Sequence, residues 1–351
     1  MEVILSALLS RYCHFYNVKL FELVKVYDTL ESLYAIWLTN PVSLPINLCR
    51  QLEVAWKETY KVEMQEQLHK HAIRGLLFNN QEYPDMLRHI SDPPYVLYVR
   101  GNSDVLSNVC LACVGTRRMS GYGKRAISRL LSALSHYSLC IVSGLALGVD
   151  GEAHRVALES DLLTVAVLAA GLDRFEPTTN APLAERIITQ GGCLLSEYPP
   201  GVRPQKHHFL ERNRIVAGIS AATLIIEGKE HSGSLVTARY ALANGREVGV
   251  VPGDIFLENT QGPLRLLRDG AWPIAEVGDI LNMLSLDVVS QPISDEVLGE
   301  VAMALRAGPV SLDGLCEKLN WPIGQVQAEL TRLELEGAVE CLATGAYYLK
   351  R

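Results

Sequence analysis

Apolar positions along the chain follow three rhythms. In residues 1–75, side chains such as Leu5, Leu8, Leu9 and Tyr12 recur at three- and four-residue steps, with almost no glycine between them. That spacing places them on one helix face, so a helical segment is expected, broken once at 41–45 by two prolines. From Glu82-Tyr83-Pro84 onward the pattern turns extended, through Pro93-Pro94-Tyr95-Val96-Leu97-Tyr98-Val99-Arg100-Gly101. Between 108 and 283, short apolar runs at 110–114, 139–143, 163–168, 193–196, 223–226 and 248–251 alternate with helix-length segments. Both faces of these runs are apolar, as in strands of a parallel sheet covered by helices on two sides. The expected class is α/β, with a doubly wound, mostly parallel sheet. Residues 284–294 read as a linker containing Gln291-Pro292. Beyond it, 295–351 read as three helices and a hairpin. The third helix, 323–335, carries Val326, Leu330 and Leu333 on one face and stops at Gly337. Strands at 339–342 and 346–349, joined through Thr344-Gly345, complete a winged-helix pattern.

In a doubly wound sheet, ligands bind outside the carboxyl ends of the strands. The loop after the first run reads Gly115-Thr116-Arg117-Arg118-Met119-Ser120-Gly121-Tyr122-Gly123-Lys124-Arg125, basic throughout. It lacks the G-x-G-x-x-G spacing, and no acid ends the next strand, which disfavours a dinucleotide oxidoreductase. The second loop, Ser143-Gly144-Leu145-Ala146-Leu147-Gly148-Val149-Asp150, has the serine and glycines of an anion nest before a helix. Asp150 reads as a helix cap there, and side chains diverging from a helix start make Asp150, Glu152 and His154 poor joint metal ligands. In the fourth loop, Lys206, Phe209, Arg212, Asn213 and Arg214 interleave cations with one aromatic. Single strands are held this way, with cations on phosphates and an aromatic face under a base. A core phenylalanine and a solvated basic face fit the same letters. His207-His208 lacks an evident third ligand. Ser232-Gly233-Ser234 opens a further helix and offers free N–H groups to an anion, or a simple cap. No nucleophile–base pair, carboxylate pair or metal cluster stands out, so binding is expected rather than turnover, with no cofactor.

Charge first argues against nucleic acid: 39 acids against 32 lysines and arginines give −7. The location of that charge changes the picture. Beyond residue 275 stand 12 acids and five bases, so 39 less 12 and 32 less 5 leave 27 of each in residues 1–275. The winged-helix segment is acidic, and its third helix would repel phosphates, which points to a protein or dimer contact. No apolar run reaches the roughly 18–20 residues of a membrane span, the best being 162–172. An acid at Glu2 is unlike a secretory leader, so the opening stretch reads as a first helix. Eight scattered cysteines fit a reduced, cytoplasmic protein. Cys110 and Cys113 would face opposite sides of a strand, which argues against joint metal binding.

Seven motifs stand in a telling order. They are Gly115-Thr116-Arg117; Ser143-Gly144-Leu145-Ala146 with Gly148-Val149-Asp150; Gly171-Leu172-Asp173-Arg174; Ser196-Glu197-Tyr198-Pro199-Pro200-Gly201; Arg212-Asn213-Arg214-Ile215-Val216-Ala217-Gly218; Ser232-Gly233-Ser234-Leu235-Val236-Thr237-Ala238-Arg239; and Val251-Pro252-Gly253. In this sequence the chain resembles the DNA-processing protein DprA (Smf) family over about residues 80–283. The resemblance implies a Rossmann-like domain at 76–283 that binds single-stranded DNA, protects incoming strands and helps load the RecA recombinase in natural transformation. It implies a homodimer through that domain, no catalytic activity, a sterile-alpha-motif-like domain at 1–75 and a winged helix at 295–351. By position, Arg117 resembles the phosphate-binding arginine, Lys206 the loop lysine and Phe209 the stacking aromatic. Arg212 and Arg214 fall in the matching Arg-Asn-Arg motif. The chain departs from the family pattern at Leu147, His231 and Glu176, where Arg, a basic residue and Tyr are usual. The competing reading is an enzyme that cleaves the N-glycosidic bond of a nucleotide, with Glu197 or Asp173 assisting.

Overall fold

The computed structural model describes residues 1–286, 300–305, 308–335, 339–342 and 345–349. The apolar stripes of the first segment become five helices: α1 (Glu2–Cys13), α2 (Asn17–Tyr27), α3 (Leu30–Thr39), α4 (Ile46–Ala55) and α5 (Glu58–Lys70). Leu5, Leu8 and Leu9 are wholly enclosed. Thr29 starts α3 by accepting a hydrogen bond from the Ser32 N–H. The helical expectation to residue 75 overshoots. A strand, β1 (Ile73–Leu77), follows α5 and pairs antiparallel with β2 (Val96–Gly101), Ile73 opposite Arg100. That partner lies outside any local window, and the pairing decides the conformation.

Between these two strands comes α6 (Asp85–Arg88), and after them the alternation begins. It runs β3 (Val109–Val114), α7 (Gly121–Ser132), β4 (Leu139–Ser143), α8 (Val149–Glu159), β5 (Leu163–Val167), α9 (Ala181–Thr189) and β6 (Cys193–Ser196). It continues through α10 (Lys206–Gly218), β7 (Ala222–Ile225), α11 (Gly233–Ala243), β8 (Glu247–Val250), α12 (Gln261–Arg268), β9 (Trp272–Pro273) and α13 (Val277–Met283). The sheet order is β1-β2-β6-β5-β4-β3-β7-β8-β9. Strands β3 to β9 run parallel, and β2 is antiparallel to both of its neighbours. From β3 the chain winds outward to β6, then returns to the other side of β3 to lay down β7. The loops after β3 and β7 therefore diverge, which makes their carboxyl ends the switch point where doubly wound sheets bind ligands.

Apolar residues on both faces of the central strands serve two cores. On β3, Cys110, Ala112 and Val114 pack with Ile215 and Val216 of α10, while Leu111 and Cys113 pack with Ile127 and Leu130 of α7. The two cysteines thus face opposite sides, as strand alternation requires. The N-terminal helices cover the rest of the second face, where Ala166 and Leu194 join Leu8 and Trp56. Residues 1–286 form one compact unit and 287–351 a second.

The second unit comprises α14 (Glu300–Leu305), β10 (Val310–Ser311), α15 (Leu312–Leu319), α16 (Ile323–Leu335), β11 (Val339–Cys341) and β12 (Ala346–Leu349). Val326, Leu330 and Leu333 of α16 are buried against Val301, Leu305 and Leu315. Its sheet, ordered β10-β12-β11, is antiparallel, and the unit is a winged helix. The linker from residue 287 onward, the helix stop at Gly337 and Thr344 of the wing turn lie outside the described residues. No described helix is long and apolar enough to cross a membrane.

Candidate nucleic-acid interface

The loops after β3, β6 and β7 enclose a cleft of about 490 Å³ at the switch point. It brings together Gly115, Thr116, Arg117, Lys206, Phe209, Arg212, Asn213, Ser232 and Gly233 of the expected residues. Thr116 sets the first loop. Its N–H donates to the Glu227 carbonyl at 2.8 Å, and its carbonyl accepts from the Val149 N–H at 3.2 Å. Its hydroxyl accepts from the Arg118 N–H at 3.2 Å. Gly148, at φ 78°, permits this packing, because a Cβ there would overlap the Thr116 carbonyl. Arg117 is thereby held over the Phe209 ring, its guanidinium carbon 5.2 Å from the ring centroid.

The β6–α10 loop supplies the opposite wall. Gln205 and His208 form a reciprocal cap at the start of α10. Lys206 stands exposed in the first turn, and half-buried Phe209 follows on the same side. The Asn213 amide donates to the Gly233 carbonyl at 3.2 Å, tying α10 to the start of α11. That start has no side-chain cap, and the hydroxyls of Ser232 and Ser234 lie 2.6 Å apart. Its N–H groups and the helix dipole favour an anion at this point.

The other two helix starts differ. Ser120 caps α7, and its N–H and hydroxyl both donate to the carboxylate of Glu227, a residue only 1% exposed. At α8, the nest expected to hold an external anion holds an internal one. The Asp150 carboxylate accepts the N–H groups of Gly144 and Ala146 and faces Arg212. Burial pushes the Asp150 carboxyl above its ordinary value, while Arg212 and those N–H groups pull it back. Ser143 and Gly144 are corrected accordingly. The Ser143 hydroxyl is buried and donates to the Cys113 carbonyl at 2.6 Å. A Cβ at Gly144 would overlap the Arg212 guanidinium, so glycine here makes room for an arginine rather than for a phosphate.

Arg212 is 5% exposed, and its Nη1 donates to the Val167 carbonyl at 2.5 Å. It forms the back wall of the cleft. Arg214 does not reach the cleft at all. Five residues along a helix turn it about 140° from Phe209. Its Nη2 donates to Glu197 at 2.6 Å and its Nε to Asp92 at 3.1 Å. Asn17 of α2 donates to the same Glu197 oxygen at 2.8 Å.

That network also engages Glu197, whose carboxyl burial pushes up and Arg214 and Asn17 draw down. Asp173 accepts from the Gly201 N–H at 2.9 Å and pairs with Arg174. Ser234 of the expected α11 start also lines the cleft, and with it Thr237, which sequence reasoning passed over. Its place one turn after Ser234 on α11 is the signal that would have found it. Among the described residues, His207, His208 and Glu211 bring ligand atoms within 4.8 Å of one another. His208 is already bonded to the Gln205 N–H and the Ala169 backbone and stacked on Tyr198, and Glu211 accepts the Tyr198 hydroxyl at 2.7 Å. These bonds commit the cluster to holding the loop. Of the three departures, Leu147 is exposed next to cleft-lining Ala146, and Glu176 and His231 are both exposed.

Comparison with known proteins agrees with this architecture. The family model described as DNA recombination-mediator protein A matches residues 74–285, and that of the DprA winged helix domain matches 288–345. The DNA processing protein DprA of Bacillus subtilis is 39% identical over 214 residues, 61% of this chain and 72% of that one. The X-ray structure of DNA processing protein A from Streptococcus pneumoniae superposes with a TM-score of 0.62 at 30% identity, covering 80% of this chain and 95% of that one. A structure of the Helicobacter pylori protein, described for its single-stranded DNA binding mode, gives 0.55 at 32% identity over 61% and 95% of the two chains. With the sheet domain and the winged helix both matched, the chain belongs to the DNA recombination-mediator protein A family.

Proposed function

We propose that this protein binds single-stranded DNA in the switch-point cleft and acts as a recombination mediator. One observation carries the reading: Arg117 over the Phe209 ring, with Lys206 and the uncapped start of α11 on the same cleft. A base stacks on the aromatic, and the backbone phosphates meet Arg117, Lys206 and the α11 N–H groups. The single-stranded DNA binding mode described for the Helicobacter pylori relative supports it. As the family resemblance implies, the protein protects incoming strands and helps load RecA in natural transformation, working as a homodimer in the cytoplasm. All eight cysteines are unpaired, which fits that reducing compartment. The role is binding without turnover. Glu197 and Asp173, the carboxylates an N-glycosidic enzyme would use, are engaged by Arg214, Asn17 and the Gly201 N–H.

The test is an anisotropy titration of labelled oligo-dT across salt, wild type beside Lys206→Ala, with a duplex as competitor. Affinity should fall with a log–log slope of about −0.7 per phosphate contacted. Single strands should win over duplex, and Lys206→Ala should weaken binding and flatten the slope. Equal affinity for duplex and single strand, unchanged by the substitution, would defeat the reading. Release of free base from nucleoside monophosphates would replace it with the enzymatic one.

A further inference from the structure

A second cavity of about 290 Å³ lies between α11 and α12. Ser232 lines both it and the cleft, so the two open on either side of the same helix start. Its walls are held close. The Gly262 N–H donates to the Gly228 carbonyl at 3.0 Å, and a Cβ at Gly262 would come within 2.7 Å of that oxygen. The floor is apolar, made by Leu235, Val236 and Leu266. Two arginines stand on the rim. Arg265 is paired with Glu230 at 2.9 Å. Arg239 is exposed, and no ion pair engages it among the described residues.

The placement follows α11. Seven residues separate Ser232 from Arg239, two helical turns and about 10 Å, so both project from one side of the helix. About 10 Å is the rise of three stacked nucleotides at 3.4 Å each. A cavity of this size, with an apolar floor and a convergent cation, is the kind that takes a small planar ligand. Resting on the single-strand reading above, we propose that the strand leaves the cleft across Ser232 and seats a further base in the α11–α12 cavity. The base lies on Leu235, Val236 and Leu266, and the phosphate next to it pairs with Arg239. Glu230 pairs with Arg265, and Asp269 is a second carboxylate of the lining, at the end of α12, so the phosphate is placed on the α11 side, at Arg239.

The test compares two lengths of oligo-dT on the full chain: about three nucleotides, which the cleft alone holds, and about nine, which reach both cavities. Arg239→Glu should weaken the longer oligonucleotide about tenfold and leave the shorter one unchanged. Arg239→Lys should restore the longer one, and Arg239→Gln should fall between. Arg117→Ala should weaken both lengths. Equal binding of wild type and Arg239→Glu at both lengths, with Arg117→Ala still impaired, would overturn the extension and leave the cleft intact. Failure of the wild type to bind either length would remove the single-strand reading itself. Equal weakening at both lengths, with a changed mass by light scattering, would assign Arg239 to a contact between copies and also overturn the proposal.

Discussion

The helix starts around the cleft are of two kinds. Those of α7 and α8 close on carboxylates of the same chain, Glu227 and Asp150. That of α11 carries no side-chain cap and opens beside Arg117 and Lys206. All three have the glycine and serine content of an anion site. The difference shows that such a loop stays open to an external anion only where the fold has not already supplied one. Internal carboxylates hold the α7 and α8 starts in place, and the α11 start remains open.

Four substitutions or conditions bear on this division. The largest effect is expected on the closed side. Arg212→Ala removes the partner of buried Asp150 and should cost about 3–5 kcal/mol in urea unfolding, and Asp150→Asn, which keeps an acceptor for the N–H groups but leaves the buried Arg212 charge uncompensated, should cost a similar amount. A cost below about 1 kcal/mol for either would mean the pair is not the keystone of the α8 start. On the open side, Phe209→Ala should weaken oligo-dT by about 1–3 kcal/mol with the urea midpoint nearly unmoved, as befits a half-buried side chain that serves a ligand. A large loss of stability there would erase the contrast.

The third test is pH. His154 on α8 is fully buried, and burial first, then Arg212 and Arg155, lowers its pKa to about 3. Its unfolded value is near 6.5, so the fold favours the neutral ring. Its stabilising contribution is complete above about pH 6.5 and falls as pH drops toward 3, by about 1.4 kcal/mol per unit. His154→Gln should flatten urea midpoints measured between about pH 7 and 5, with oligo-dT affinity at neutral pH preserved. The smallest expected change is in the salt dependence. Arg117→Ala should reduce the binding slope by about 0.7, one phosphate's worth. An unchanged slope would move Arg117 from phosphate contact to support of the Phe209 ring.

Much of the sheet was legible in the sequence. Strands buried on two faces must be apolar throughout, and the runs at 110–114 and 139–143 correspond to β3 and β4. Lys206 and Phe209 were legible because one loop carries both. Arg214 was misread because Arg212-Asn213-Arg214 is a single motif in one dimension, while a helix turns its members to different sides. The nest at Ser143-Gly144 was recognisable, but its occupant was not. Asp150 folds back onto it only when Gly148 lets the loop after β3 pack underneath. The strand β1 was hidden for a related reason, since its partners lie 19 to 27 residues away.

The bonds among Asn17, Asp92, Glu197 and Arg214 have a consequence for how this chain can vary. Glu197 begins the loop that carries Lys206 and Phe209, and it takes its bonds from α2 on one side and α10 on the other. A change at Asn17, Glu197 or Arg214 takes a hydrogen-bond partner from a buried group, whereas Asp92 is itself partly exposed. The N-terminal helices and the loop that carries Lys206 and Phe209 are therefore coupled through one buried network, so a change on either side is felt by the other.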